Sequence, residues 1–382
     1  MHLRCHESFR ELPAAEWNTL VRDEDPFLQH AFLVALENHG VTGPGTHWQP
    51  RPLSVRDDDG RLLGGCPLFL KTDSWGEFVF DWGWADAYHR NGLRYYPKLV
   101  AAIPHTPATG QRLLVAAGAD AGAVMALLAE GARELAAGLG CSTLHVLFPQ
   151  AGELESLAAA GLTHRLGCQF HWQDRGYRDF DDFLDAFSAK KRKNLRQERR
   201  RVREAGLELE RLPGNAVSEA QWRVFHRFYR NTFEQRGCPA PMSLPFFLEI
   251  GRTLGERVLL VLARRGHDIV AAAISYAGAH TLYGRHWGCA ESFDALHFEA
   301  CYYQGIEHCI EHGLTRFEPG AQGEHKVARG FEPVLTHSAH WVAHPGFRQA
   351  IDAFLHRERP AIVEYARELT ARLPYRSGEA AA

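Results

Sequence analysis

The sequence lacks most of the signatures that would narrow it quickly. Its eight cysteines (Cys5, Cys66, Cys141, Cys168, Cys238, Cys289, Cys301 and Cys309) form no C-x-x-C pair, which argues against the common structural-zinc and thiol-redox frameworks. Most lie inside apolar stretches, so they read as reduced, buried thiols, and the expected compartment is the cytoplasm. No run approaches the ~18 apolar residues of a membrane span, and the opening "MHLRCHESFRELPAAEW" has no apolar signal core. The net charge is only −3. No global polycation is present, so any contact with phosphate must come from a local patch. The phosphate-loop pattern G-x-x-x-x-G-K-[ST], the hydrolase elbow G-x-S-x-G and the zinc helix H-E-x-x-H are all missing. Among 22 histidines, His308 and His312 stand at i,i+4 beside Cys309. No zinc spacing completes them, and no metal is expected.

What is there is ample for a folded core. The chain has 382 residues, 45% hydrophobic and 11% aromatic, enough for two domains or one doubled architecture. A weak duplication supports the second option. "LSVRDDDGRLLGGCPLFL" (53–70) reads as strand, turn at Gly60, strand, and "VLLVLARRGHDIVAAAISY" (258–276) repeats that plan around Gly266. Later, "AGAVMALLAEGARELAAGLG" (121–140) is a helix leading into the strand "CSTLHVLFP" (141–149). "FEACYYQGIEHCIEHG" (298–313) leads likewise into "LTRFEPG" (314–320). Hairpin, third strand, helix, strand thus occurs twice.

Between the halves, "DFDDFLDAFSAKKRKNLRQERRRVREAG" reads as one helix that begins acidic, at Asp181 and Asp182, and turns basic, a polarity that suits the helix dipole. From Lys190 to Arg203 nine of fourteen residues are Lys or Arg. Leu195 and Val202 offer one packing stripe, and locally only Glu198 and Glu204 offset the charge. A solvated face is the ordinary fate of a charge run, but self-repulsion on this scale favours a phosphate-bearing partner. "SEAQWRVFHRFYRNTFEQRG" (218–237) is an amphipathic helix with Trp222, Phe225, Phe228 and Tyr229 on one face, and "SLPFFLEIGRTLG" (243–255) is another. The tail is helical with a break at Pro360.

Three further stretches invite function. "FEPGAQGEHKVARGFEP" (317–333) places Glu318, Glu324, His325, Lys326 and Arg329 in a glycine-rich loop after a buried strand, where either a tight charged turn or a site is expected. "HTLYGRHWGCAESFDALHFEACYYQGIEH" (280–308) carries Tyr283, Arg285, His286 and Trp287 on a strand whose Gly284 and Gly288 suggest a bulge or a close approach. A helix starting near His297 follows, with His297, Glu299 and His308 either on its surface or at an anion site. "LRYYPKLVAAIPHTPATGQRLL" (93–114) looks like an ordered loop.

Two hairpin–helix–strand lobes joined by a basic helix resemble the tandem acyl-CoA N-acyltransferase (GNAT) fold. More narrowly, the chain resembles the FemAB-like N-acyltransferases, often labelled peptidoglycan biosynthesis/recognition proteins. The likeness rests on "DPFLQHAFLVALENHG", "YYPKLVAAIPHTPATGQRLL", "CQFHWQDRGYRDFDDFLDAFSAKKRKNLRQERRRV", "HFEACYYQGIEHCIEHGLTRFEPGAQGEHKVARGFEP" and "THSAHW", which together cover nearly the whole chain. "HKVARGFEP" is similar to a Phe-Lys-x-Gly-Phe segment of the Fem aminoacyltransferases, with His325 and Lys326 where that family tends to have Phe and Lys. Unlike in several Fem enzymes, no long coiled-coil insertion is visible.

The resemblance implies an α/β fold of tandem GNAT-like lobes, with mixed central sheets flanked by helices. The lobes would be 1–172 and 173–382, the second opening with the basic helix at about 183–206. It implies an N-acyltransferase that moves an acyl or aminoacyl group from acyl-CoA or aminoacyl-tRNA to an amine by direct attack, with no permanently bound cofactor. The acceptor would be a small molecule, a peptide or a cell-wall precursor. A backbone N–H of the splayed strand 280–288 would polarise the carbonyl. Glu318 and His325 are the candidates for proton transfer, with Arg285 and His286 beside them as catalytic candidates. Arg285, Lys326 and Arg329 would meet anionic groups. Lys190, Lys191, Arg192, Lys193 and Arg196 would hold phosphates, and Glu299 and Tyr283 complete the expected binding set. The first lobe lacks comparable polar loops after its "TLHVLFP" strand and is expected to be degenerate. The alternative is a non-catalytic module binding a cell-wall precursor or nucleic acid through the same residues.

Overall fold

The structure, a computed structural model, describes residues 1–321 and 323–376. Gln322, inside the glycine-rich loop, lies outside them. The chain divides into two compact units, residues 1–168 with 335–364 and residues 169–334 with 365–382. The first crossing, at 168/169, falls a few residues before the division expected at 172/173. Residues 335–364, expected in the second lobe, belong with the first.

The first unit holds two sheets. β1 (His2–Cys5), β3 (Leu53–Arg56), β4 (Leu62–Cys66) and β7 (Leu114–Val115) form one, in the order β1-β3-β4-β7. β2 (Trp48–Pro50), β5 (Leu68–Lys71), β6 (Lys98–Ala101) and β8 (Thr143–Leu147) form the other. Pro67, which has no N–H to give a ladder, separates β4 from β5, and the predicted hairpin feeds two sheets. β6 and β8 are parallel, with the helix Ala121–Gly138 between them in sequence. Asp120 caps that helix by accepting from Ala123 N–H.

β9 (Thr163–Gln173) leads into the second unit, where β10 (Leu207–Pro213), β11 (Val258–Arg265), β12 (Asp268–Ala277), β13 (Thr281–Cys289) and β14 (Arg316–Glu318) run in the order β10-β11-β12-β13-β14-β9. β13 and β14 are parallel, joined through the helical segment Leu296–His312. The helix Glu219–Glu234 starts in a capping box of Ser218 and Gln221 and buries Trp222, Phe225, Phe228 and Tyr229, as its periodicity predicts. The second half therefore repeats the order of the first.

The closing strands are exchanged. β9 follows the first half of the chain, yet its Trp172 and Gln173 pair with Phe317 and Arg316 of β14. β15 (Glu332–Val342) follows the second half, yet its Ser338–Val342 pair antiparallel with β8. That pairing is why residues 335–364 belong with the first unit.

Two helical expectations are corrected. The acidic and basic stretches are separate helices, Phe180–Asp185 and Ala189–Glu204. Asp179 caps the first by accepting from Asp182 N–H. The chain then breaks at residues 186–188, where Phe187 is fully buried. Secondly, Pro360 does not interrupt the helix Pro345–Thr370. Pro360 and His356, whose carbonyl loses its partner, are both exposed, so water can satisfy that carbonyl.

Candidate active site

The second unit builds a polar site where β13 parts from β14. The two strands pair in parallel only through Thr281–Arg316, Leu282–Phe317 and Tyr283–Glu318. Beyond that point β13 continues to Cys289, while the other chain turns away at Pro319 and Gly320. On its other edge β13 carries a bulge. Ile274 pairs with His286 and Ser275 with Gly284, so Arg285 is the extra residue. Gly284 lets the two segments approach closely here: a Cβ on it would lie 3.2 Å from Pro319 Cα, tighter than ordinary contact. Splay and bulge together interrupt the ladder on both sides of Gly284–Arg285. A cavity of about 90 Å³ opens beside them, and Ser275, Arg285, His286, His297, Cys301 and Tyr302 are among its lining residues.

The side chains around this opening are strongly shifted by burial. Lys326, on the 3₁₀ turn Glu324–Arg329, is 2% exposed. Its Nζ donates to Gly320 O at 2.6 Å, and no carboxylate among the described residues lies within ion-pair distance. Burial pulls its pKa down to about 7. Burial, with Lys326 and other cations nearby, likewise drives His297 down to about 4 and His171 to about 3, so both imidazoles are neutral at pH 7. Burial lowers Arg285 to about 10, opposed by Tyr276, Tyr229 and Glu318. Glu318 is buried, with Oε1 3.3 Å from Arg316 Nε and Oε2 3.9 Å from His171 Nε2.

The candidates from the sequence separate into groups. Arg285 and His286 line the cavity, and Glu318 adjoins it through Pro319. His325 is exposed and does not line it; its Nε2 lies 2.9 Å from the hydroxyl of Tyr302, which does. Although the residue as a whole is exposed, partial desolvation of its ring and the neighbouring Lys326 and Arg329 lower the pKa of His325. Tyr283 is buried within the sheet between Tyr276 and Glu318. Arg329 is held by Glu198 at 2.8 Å, donates to His325 O at 2.8 Å and stacks over Phe298 at 3.3 Å. Glu299 is a buried partner of Arg199, receiving bonds of 2.9 and 3.1 Å. Arg329 and Glu299 are thus tied into the fold. Of the other lining residues, the sequence singles out His297, as helix surface or anion site, but neither Cys301 nor Tyr302. Cys301 follows His297 by four residues on the segment after the loop, a helical spacing that fits a surface as well as a site.

The basic helix is less bare than its local sequence suggests. Asp185 pairs with Arg192 at 2.7 Å, Asp181 with Arg196 at 3.2 Å, Glu307 with Arg199 at 2.6 Å and Asp294 with Arg201 at 2.8 Å. Its neutralising acids come from other elements. Lys190, Lys191, Lys193, Arg200 and Arg203 have no ion-pair partner among the described residues. Because the helix begins at Ala189, its three lysines sit in the first turns, where the dipole opposes cations. Arg196, Arg199, Arg200 and Arg203 line a separate groove of about 590 Å³, together with Arg178 and Glu307. Lys190–Lys193 do not line it. Among the described residues, no group of three or more His, Cys, Asp or Glu could hold a metal.

The FemAB-like family, described as peptidoglycan biosynthesis/recognition, matches residues 8–377. The chain belongs to the FemAB-like family. Its two repeated α/β units have the mixed sheets and flanking helices expected from the sequence. The crystal structure of FemX is similar over 92% of this FemAB-like chain and 100% of its own, at 13% identity and a TM-score of 0.55. The C-terminal domain (DUF2156) of an Agrobacterium fabrum protein assigned as a lysylphosphatidylglycerol synthetase covers 91% of this chain and 97% of its own, at 11% identity and a TM-score of 0.56. At such identities both similarities speak for the fold alone. No curated protein matches the sequence.

Proposed function

We propose that the second unit catalyses transfer of an acyl or aminoacyl group to an amine, from acyl-CoA or aminoacyl-tRNA, with a peptide or cell-wall precursor as acceptor. The observation that carries this reading is the buried, carboxylate-free amine of Lys326 next to the parted strands β13 and β14. The donor carbonyl lies against the interrupted backbone at Gly284–Arg285, whose N–H groups polarise it. The acceptor nitrogen attacks the carbonyl carbon and its proton passes to Lys326 Nζ, neutral above pH 7. The thiol of CoA, or the ribose hydroxyl of tRNA, leaves and takes up a proton. Glu318 favours the charged form of Arg285 beside the cavity, and Tyr302 positions His325. Lys190, Lys191 and Lys193, free of ion pairs at the positive end of their helix, hold donor phosphates. The family's description supports a role in peptidoglycan biosynthesis.

The test is a transfer assay with acetyl-CoA, longer acyl-CoAs and charged tRNA, paired with thermal shifts for each donor. Lys326→Met loses at least about 100-fold in kcat and keeps the donor-induced rise in melting temperature. Lys326→Arg does not restore the rate, because a guanidinium stays protonated. An unchanged rate in Lys326→Met, or no donor that stabilises the protein, would overturn the reading.

A further inference from the structure

The first unit, expected to be the degenerate one, contains an unusual segment. Among the described residues, five of the nine large apolar side chains that remain exposed fall between Trp75 and Leu93: Trp75, Phe78, Phe80, Trp82 and Leu93. Trp75 is 60% exposed and Phe80 55%. The Trp75 and Trp82 rings meet edge to face at 5.5 Å, and Phe78 and Phe80 are exposed on the stretch of chain between them.

Beneath it lies a buried ionic cluster. Lys71 and Lys98 are fully buried. Lys71 Nζ donates to Asp73 Oδ1 at 2.6 Å and to Trp75 O at 2.9 Å. Lys98 Nζ donates to Ser74 Oγ at 2.7 Å, Glu77 Oε2 at 2.8 Å and Asp81 Oδ2 at 2.5 Å. Tyr95 OH donates to the same Asp81 oxygen at 2.6 Å. Apolar residues would pack a core at no such desolvation cost. What the ion pairs accomplish is to hold residues 73–81 from below while their aromatic rings point out. From Trp82 the chain enters the helix Trp82–Arg90, so Arg90 lies about 12 Å further along its axis. His89, Arg90 and Arg94 are exposed there; Arg90 shares a solvent-exposed ion pair of 3.0 Å with Asp86, a contact weak enough to exchange for a headgroup, and Arg94 has no ion-pair partner among the described residues.

We propose that residues 75–94 are a membrane-docking platform. Trp75, Phe78, Phe80 and Trp82 enter the interfacial zone of a phospholipid bilayer, and Arg90 and Arg94 lie against anionic headgroups. Two features favour lipid. The apolar–aromatic set with cations close by matches what an anionic interface attracts. A sugar would need polar side chains between the rings, and the carboxylates of this segment, Asp73, Glu77 and Asp81, are engaged with Lys71 and Lys98. No helix among the described residues is long and apolar enough to cross a membrane, so the association is peripheral. A loop already fixed by its ion pairs loses little further freedom on docking.

The experiment uses the full-length protein with extruded vesicles of phosphatidylcholine alone or mixed with phosphatidylglycerol. Binding is measured by co-sedimentation and by quenching of tryptophan fluorescence with brominated acyl chains. The wild type is expected to bind the mixed vesicles and be quenched. Trp75→Ser with Phe80→Ser is expected to lose at least tenfold in binding at an unchanged melting temperature. Arg90→Glu with Arg94→Glu loses several-fold on mixed vesicles only. Absence of binding to either vesicle, or equal binding by the Trp75/Phe80 variant, would overturn the proposal. So would a soluble oligomer that this variant dissociates without any vesicle binding, which would make the patch a protein interface.

Discussion

An ammonium buried as deeply as that of Lys326 has two ways to be tolerated: it loses its proton, or a ligand supplies an anion. The first has a measurable signature without any substrate. Its pKa falls from 10.5 to about 7 on folding, so between those values the unfolded chain binds the extra proton. Stability therefore rises with pH across that window, by at most about 1.4 kcal/mol per pH unit. Lys326→Met removes the group, and the wild-type-minus-variant stability, from denaturant titrations at several pH values, should climb from pH 7 toward pH 10. A flat difference would mean that the amine stays charged. Glu77 follows the opposite rule. Burial raises it to about 7 against the pull of Lys98, so its contribution falls as pH rises from 4.5 to 7, outside the Lys326 window. At this scale the sequence reveals residue types but not partners. Lys326, Arg329 and Glu299 all look like site residues in one dimension. Only the fold shows that Glu198 and Arg199 hold Arg329 and Glu299, and that Lys326 is left with a single carbonyl.

Elements with strong local signals were legible. Gly60 and Gly266 mark both hairpins, and both sit at positive φ, where glycine carries no Cβ penalty. The helix Glu219–Glu234 shows its apolar face and its capping box in sequence. The junction between the acidic and basic helices was not legible, because no Gly or Pro marks residues 186–188 and burial of Phe187 fixes the break. The two glycines of β13 were seen as a bulge or a close approach, and each proves to be one of these. Gly284 lies in the bulge, and Gly288 is where β13 meets the helix Glu219–Glu234. A Cβ on Gly288 would land on the backbone carbonyl of Phe228, which no rotamer change can move aside. Gly288→Ala should therefore cost about 2 kcal/mol or more, as overpacking against backbone does. Gly266→Asn, in the open hairpin turn, should cost well under that. Paired melting curves check the contrast, and equal losses would mean that the helix can shift to admit a methyl group.

At the scale of the whole chain, the repeated order hairpin, strand, helix, strand was visible, but the exchange of closing strands was not. Each strand's own pattern is the same whichever partner it finds, and pairing with a strand well over a hundred residues away leaves no local trace. The exchange nevertheless dictates what can fold alone. Residues 1–168 lack β15, so β8 would present five residues, Thr143–Leu147, with one edge unpaired. They also lack Ser338, Ala339 and His340, all buried in the intact chain, and His340 Nδ1 lies 2.5 Å from buried His145. We expect residues 1–168 expressed alone to aggregate or to melt without a cooperative transition. The same residues joined by a flexible linker to 335–364 should restore one, followed by near-ultraviolet circular dichroism, since Trp84 packs against both His145 and His340. If the shorter fragment melts as sharply as the linked one, the returning strand contributes little, and the chain order of the first half is sufficient for its fold.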